Sequence, residues 1–208
     1  MKDFDVKISL DYFLKYIAEN VGRKYSIARV DKEKKRIWLL VKLVEINITE
    51  GRYFRGLCSH DIMEVGTRRK AKIVKGDITP EEMRENNILI TLGTGIAPFI
   101  WVLDQLKDSK EGQNLLIYTN SYKDEIYHQQ LCLDSKMTQI VSCTREEGGI
   151  KIQTLINGNL QQIKTILANK GRVFFCGPKQ MHIYLVQVIS KAMKITPEQL
   201  NKSKVIVY

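Results

Sequence analysis

Five short segments of this 208-residue chain could do chemistry, and they come in a fixed order. Arg23-Lys24-Tyr25-Ser26 offers a cation for a phosphate, a ring to stack on a flat ligand and a hydroxyl to hydrogen-bond it. On an extended strand, Arg23 and Tyr25 project to the same face. Phe54-Arg55-Gly56-Leu57-Cys58-Ser59 sets a glycine ahead of small residues, a composition that lets backbone N–H groups face a phosphate. Gly93-Thr94-Gly95-Ile96-Ala97-Pro98 follows the apolar run Ile88–Leu92 and leads into an apolar, helix-compatible segment. A strand, a glycine turn and a helix start gather N–H groups and the positive end of a helix dipole at one point, which suits a pyrophosphate. Cys143-Thr144-Arg145 closes another strand-like run, with Lys151 and Gln153 downstream. Phe175-Cys176-Gly177-Pro178 ends a strand on a thiol and a second glycine turn. Each segment alone is common, and their ordered combination is what carries information.

The elements that must position them change character along the chain. Leu10, Phe13, Leu14, Ile17 and Ala18 have helical spacing. Lys24–Val30, Arg36–Ile48 and Ala71–Val74 read as strands, so the first part is short strands with polar breaks. Thr79-Pro80-Glu81-Glu82 has the order of an N-cap, a first-turn proline and acids matched to the helix dipole. Beyond it strands and helices alternate: strands at Ile88–Leu92, Asn114–Thr119, Gln139–Cys143, Val173–Cys176 and Val205–Val207, and helices at Phe99–Leu106, Asp124–Leu131, Leu160–Ala168 and Lys179–Met193. That alternation predicts an α/β fold whose C-terminal parallel sheet carries helices on both faces. The division falls near residue 79, giving regions 1–78 and 79–208. Ligands of such sheets bind at the carboxyl ends of the strands, where the glycine turns and the thiol are expected.

Composition removes several function classes. Hydrophobic residues make up 44% and charged residues 27%, as in ordinary globular chains. No apolar run reaches the roughly 20 residues of a membrane-spanning helix, and the N-terminus lacks a signal-peptide pattern. The four cysteines, Cys58, Cys132, Cys143 and Cys176, form no C-x-x-C pair, which argues against zinc. A reducing, cytoplasmic setting is the expectation. The net charge of +10 reads first as a lysine-rich solvated surface and second as attraction to an acidic partner. The basic residues are scattered without an aromatic–basic reader motif, so nucleic acid is not the expected partner.

The ordered segments resemble the ferredoxin–NADP reductase superfamily, and within it the diflavin reductases, whose motifs run R-x-Y-S, G-x-C/A-S/T, G-T-G-I/V-A-P-F, Ser/Thr-Arg and C-G. The segment Tyr122-Lys123-Asp124-Glu125-Ile126-Tyr127 adds to the likeness, which extends from about Leu10 to Tyr208. It implies a partial antiparallel β-barrel for flavin ahead of the nucleotide-binding sheet. It further implies that Arg23 binds FAD pyrophosphate, Tyr25 stacks on the isoalloxazine and Ser26 lies near its N5. Gly56, Leu57, Cys58 and Ser59 would hold the FAD phosphates. Gly93, Thr94, Gly95, Ala97 and Pro98 would form the pyrophosphate loop for NADPH, with Gly177 in the second turn. Thr144 and Arg145 would contact the 2′-phosphate, and Lys151 and Gln153 would assist at the adenosine. Cys176 would sit beside the nicotinamide C4, and Tyr208 would cover the flavin; with Ser26 these form the implied catalytic set. The implied activity moves hydride from NADPH to FAD and electrons onward to an acidic carrier protein, an FMN domain or an iron–sulfur protein.

This chain departs from the family pattern at Thr91, where a first glycine is usual, at Lys151, where a stacking tyrosine is usual, and at Ile206, where an acid is usual. Only 22 residues precede Arg23, too few for the remaining barrel strands or an FMN domain, so an N-terminally truncated barrel is expected. A second chain completing the barrel, or a non-catalytic nucleotide-binding subunit that has lost FAD, are the alternatives.

Overall fold

The computed structural model describes residues 24–43, 45–49, 52–55, 59–60, 62, 72–73, 86–106, 112–125, 137–203 and 205–207. Its centre is a five-stranded sheet formed by β5 (Asn87–Leu92), β6 (Leu115–Asn120), β7 (Thr138–Cys143), β8 (Arg172–Cys176) and β9 (Val205–Val207). The spatial order is β7-β6-β5-β8-β9, and each neighbouring pair is parallel. β5 pairs with β6 on one side (Ile88↔Leu115) and with β8 on the other (Ile88↔Val173). The chain thus builds outward in one direction and then returns to build outward in the other. The reversal lies between β5 and β8, where such sheets open a crevice at the carboxyl edge.

The continuous apolar runs are explained by burial on both faces, since a central parallel strand has no solvent side. Ile88, Ile90, Leu115, Ile117, Val173 and Phe175 point to one face, packing with Ile152, Ile156, Ile163, Ile166, Leu185, Ile189 and Leu200. Those partners lie on α2 (Ile152–Gly158), α3 (Leu160–Ala168), α4 (Lys179–Met193) and α5 (Pro197–Ser203). The alternate residues Leu89, Leu116, Tyr118 and Phe174 face α1 (Ala97–Leu106) through Phe99, Ile100, Val102 and Leu103. At the opposite, amino edge the strands are fastened by amides. Asn114 Oδ1 accepts from both the backbone N–H and the Nδ2 of Asn87, at 2.9 and 3.0 Å. Asn86 Nδ2 donates to Asn169 O, and Asn86 Oδ1 accepts from Gln113 N–H, each at 2.7 Å.

Ahead of the sheet, β1 (Ile27–Asp31) pairs antiparallel with β2 (Arg36–Leu39), and β3 (Glu45–Thr49) with β4 (Arg52–Arg55). The first hairpin is anchored on α1: Ala28 is buried in the α1-side cluster, and Arg29 pairs with Asp104 at 3.1 Å. The structure thus has the expected parallel sheet preceded by antiparallel strands.

Several expected boundaries shift. The single strand expected at Arg36–Ile48 is two strands, because the chain leaves β2 to run along the larger sheet. Leu40 packs on the α1 cluster, and Lys42 reaches Glu125 at 3.1 Å. Lys72 and Ile73, expected within a strand, have none, and Ile73 is 71% exposed. At the start of the helix expected over Asp124–Leu131, Lys123–Glu125 forms a 3-10 turn, while 126–131 lie outside the described residues. Two helices went unanticipated, α2 and α5. The second has a legible start: Thr196 Oγ1 accepts from Gln199 N–H at 3.2 Å, and Gln199 Oε1 accepts from Thr196 N–H at 2.8 Å. That is a reciprocal capping box, with Pro197 at the first helical position. The helix expected near residues 10–20 and the division near 79 lie outside the described residues.

Candidate functional site

The carboxyl edge of the sheet gathers two groups of residues. The first sits between β5 and β8. β5 ends at Leu92, and Gly93–Ile96 makes a 3-10 turn before α1 begins at Ala97. The turn starts with Gly93 at φ +53°, a conformation that β-carbon sterics disfavour. Gly95 is held to glycine by its neighbours: a Cβ there would lie 2.7 Å from the Cys176 carbonyl oxygen and 2.9 Å from Thr91 Oγ1. The turn therefore rests directly on the end of β8. Thr94 is exposed at the lip, whereas Ala97 and Pro98 are buried and shape the helix start from beneath.

Cys176 closes β8 in register with Thr91, so the two side chains share a face of the sheet. Burial pushes the Cys176 thiol up to about 11, so it stays a neutral thiol across the physiological range. Gly177 and Pro178 then lead into the 15-residue α4, whose first turn also begins at this edge. The Thr91 hydroxyl is buried and has no hydrogen-bond partner among the described residues.

The second group lies across the ends of β6 and β7. Thr144 N–H donates to Asn120 O at 2.8 Å, and Arg145 N–H donates to Ser121 O at 3.0 Å, so the register of the two strands continues into their loops. Asn120 stiffens its own loop: Oδ1 accepts from Ser121 N–H at 2.8 Å, and Nδ2 donates to Tyr118 Oη at 3.2 Å and to Glu125 O. The Arg145 guanidinium lies 5.9 Å from the centre of the Tyr122 ring, within cation–π range. Beside this pair is a cleft of about 760 Å3 lined by Tyr122, Lys123, Asp124 and Glu146. The Lys123 N–H donates to Glu146 Oε1, drawing the two loops together. Past Arg145 the chain folds back tightly at Gly149, where a Cβ would sit 2.1 Å from the Cys143 carbonyl oxygen. Burial and the nearby Glu146 raise the pKa of the Cys143 thiol at the end of β7.

The structure thus brings Gly93, Thr94, Gly95, Cys176 and Gly177 to one crevice, and Thr144 and Arg145 to neighbouring strand ends on the same edge. Lys151 and Gln153 fall at the start of α2, both exposed, where the sequence reading placed no element. Tyr25 and Ser26 precede β1 and are half-buried, and Ser59 is buried. Arg23, Gly56, Leu57, Cys58 and Tyr208 lie outside the described residues. Asn120 belongs to no anticipated motif, and Tyr122, which opens the segment Tyr122–Tyr127 that adds to the family likeness, was given no site role; the available signal was their place at a strand's carboxyl end. Among the described residues no cluster of three or more metal-ligating side chains occurs, and no helix is long and apolar enough to cross a membrane.

Residues 89–187, which run from β5 into α4, match the family described as Oxidoreductase NAD-binding domain. Over 97% of its length the chain is 28% identical to the sulfite reductase [NADPH] flavoprotein alpha-component of Mannheimia succiniciproducens, covering 37% of that protein. It is also 28% identical to NADPH oxidoreductase A of Dictyostelium discoideum, over 89% of this chain and 32% of that one. The sulfite reductase [NADPH] flavoprotein component of Saccharomyces cerevisiae is again 28% identical, over 83% of this chain and 18% of that one. The chain therefore spans about a third or less of these relatives. Among solved structures, ferredoxin-NADP+ reductase from Plasmodium falciparum superposes with a TM-score of 0.67 at 21% identity, covering 89% of this chain and 76% of that one. A variant of that enzyme in complex with 2′P-AMP gives 0.69 at 19% identity, over 89% and 77%. These likenesses establish the fold. Through the matching domain and flavoprotein relatives aligned over most of its length, the chain is similar to the ferredoxin–NADP reductase superfamily and, within it, to diflavin-type reductases.

Proposed function

We propose that the chain is an FAD-dependent reductase module that takes hydride from NADPH and hands electrons to an FMN domain or an iron–sulfur carrier in the cytoplasm. The observation that carries this reading is the crevice between β5 and β8. There a glycine turn packed without a Cβ on the Cys176 carbonyl faces a half-buried thiol at the strand-order reversal. The residues fit a dinucleotide: the close-packed glycine leaves backbone free to meet a pyrophosphate, and Arg145 supplies a cation two strands away for a phosphate on the ribose.

The cofactors supply the chemistry, a hydride from the nicotinamide and its division into single electrons at the flavin. The chain's own residues bind and orient. Gly93, Thr94, Gly95 and Gly177 hold the pyrophosphate, and Thr144 and Arg145, aided by Lys151 and Gln153, hold the phosphorylated ribose. Cys176, kept as a neutral thiol, packs against the nicotinamide rather than acting as a base or nucleophile. On the flavin side we assign Arg23, Tyr25, Ser26, Gly56, Leu57, Cys58 and Ser59, within a region 1–78 that serves the region 79–208, and Tyr208 from the end of the second region.

Purified protein mixed with FAD should show a flavin spectrum that NADPH bleaches. A colourless protein with no bleaching would overturn the catalytic reading. The alternative, a nucleotide-binding subunit that needs a partner chain, is favoured by one observation: every residue of β2 is exposed, Trp38 and Leu39 each at 38%. Tight FAD binding by this chain alone would exclude it.

A further inference from the structure

We propose that Lys42 is a positioning residue for the phosphate end of the nucleotide site. Through Glu125 it ties the first hairpin to the loop on which Thr144 and Arg145 are registered, so the antiparallel strands and the nucleotide loops set one another's geometry. This rests on the nucleotide reading above and gives a role to a lysine that lies in none of the five segments.

Lys42 has a fixed base. It stands three residues beyond the end of β2, just past Leu40, which packs on the α1 cluster. Earlier in the same hairpin Ala28 is buried in that cluster and Arg29 pairs with Asp104 of α1. From this base Lys42 Nζ donates to both carboxylate oxygens of Glu125, Oε1 at 3.1 Å and Oε2 at 3.2 Å. The contact spans 83 residues of sequence and crosses from the antiparallel strands to the parallel sheet.

Glu125 is not a loose acceptor. It closes the 3-10 turn Lys123–Glu125, its N–H donates to Tyr122 O at 3.2 Å, and its carbonyl accepts from Asn120 Nδ2. Asn120 in turn ends β6 and carries the phosphate end. Its carbonyl accepts from Thr144 N–H at 2.8 Å and from Thr144 Oγ1 at 3.2 Å. Its Oδ1 accepts from the N–H of Ser121, and the Ser121 carbonyl accepts from Arg145 N–H at 3.0 Å. Every link from Lys42 Nζ to the Arg145 backbone is therefore a hydrogen bond or a covalent one.

Charge alone makes the opposite prediction, which separates the two accounts. Glu125 follows Asp124 on the loop that faces Glu146, so deleting its carboxylate removes a negative charge near a phosphorylated ribose and should tighten an anion. As the handle by which Lys42 holds the loop, Glu125 should instead loosen the anion when deleted.

The test is calorimetric titration of the full chain with 2′-phospho-AMP. Lys42→Met and Glu125→Ala should each weaken binding about two- to fivefold, the range an exposed ion pair supplies. The double variant should lose no more than either single change, because one contact is broken in all three. Lys42→Arg, which can still meet a carboxylate with two donors, should bind within about twofold of wild type. Coupling between two sites is reciprocal. Saturating 2′-phospho-AMP should therefore slow hydrogen exchange of the β1 and β2 amides in wild type and leave it unchanged in Lys42→Met. Both side chains are partly exposed, and unchanged urea midpoints would show that the variants fold. Tighter binding by Glu125→Ala would overturn the role in favour of bare charge. Wild-type affinity in Lys42→Met, or hairpin exchange that wild type does not slow on binding, would overturn it and leave the nucleotide reading standing. Wild type that does not bind 2′-phospho-AMP would remove the nucleotide reading and this role with it.

Discussion

Replacing Gly95 by alanine adds one methyl group at the point where the glycine turn rests on β8. The added Cβ would lie 2.7 Å from the Cys176 carbonyl oxygen, 2.9 Å from Thr91 Oγ1 and 3.2 Å from the Cys176 carbonyl carbon. Favourable nonbonded contacts between carbons begin at about 3.5 Å. Neither obstacle can step aside cheaply. Thr91 is fully buried and β-branched, hence stiff at χ1. The Cys176 carbonyl belongs to a strand in register with β5 through Thr91, so moving it means prising two central strands apart. Overpacking of this kind costs about 1–3 kcal/mol. The displaced turn should also lose nucleotide affinity by about tenfold or more, because its N–H groups no longer converge. Urea denaturation reads the first effect, and calorimetric titration with 2′-phospho-AMP reads the second. The double variant Thr91→Ala/Gly95→Ala should recover only part of the loss, because the backbone obstacle remains. Gly93 provides the contrast: its nearest neighbour stands at 3.8 Å, so the obstacle there is its φ of +53° alone. Gly93→Ala should cost about 1–2 kcal/mol, and Gly93→Asn less. Wild-type stability and affinity in Gly95→Ala, or full rescue by Thr91→Ala, would refute the argument from close packing.

Arg145→Ala should weaken NADPH far more than NADH in calorimetric titration, and an equal loss for both would remove its phosphate role. The Cys176 thiol, raised to about 11 from an ordinary 9.0, should react with iodoacetamide at pH 7.5 about a hundredfold more slowly than an exposed cysteine, followed by mass spectrometry. The folded state holds that proton more tightly than the unfolded one, so the contribution to stability is complete below pH 9 and is lost as pH rises toward 11. Urea midpoints of wild type should therefore fall across that window more steeply than those of Cys176→Ala. Ile90→Ala, at the centre of the sheet and fully buried, should lower the unfolding free energy by about 2–5 kcal/mol, read from chemical denaturation.

The parallel sheet and its glycine turn were legible because the same physics writes both. Ile88 to Ile90 must be apolar where both faces are covered, and Gly95 must lack a Cβ where two strand ends touch. Helix α2 was hidden by its flanks. Lys151 and Gln153 drew the eye as ligand groups, although Ile152, Leu155 and Ile156 already had helical spacing. The break after Leu39 could not be read from hydropathy, since the run Ile37–Leu40 is apolar on both sides of it; beyond the break Leu40 packs on the cluster that α1 shares with the sheet. The apposition of Tyr122 with Arg145 depends on the pairing Asn120↔Cys143, a register that no local pattern encodes.

The asparagine clasp at the amino edge of the sheet has a consequence for how the protein responds to its surroundings. Amides do not titrate, and salt barely screens them, so Asn86, Asn87, Asn114 and Asn169 should grip equally at any pH or ionic strength that leaves the fold intact. The other edge is held partly by charge, through Lys42–Glu125 at 3.1 Å and the guanidinium of Arg145. Ionic strength can therefore retune the loops that meet a ligand while the frame beneath them stays deaf to it.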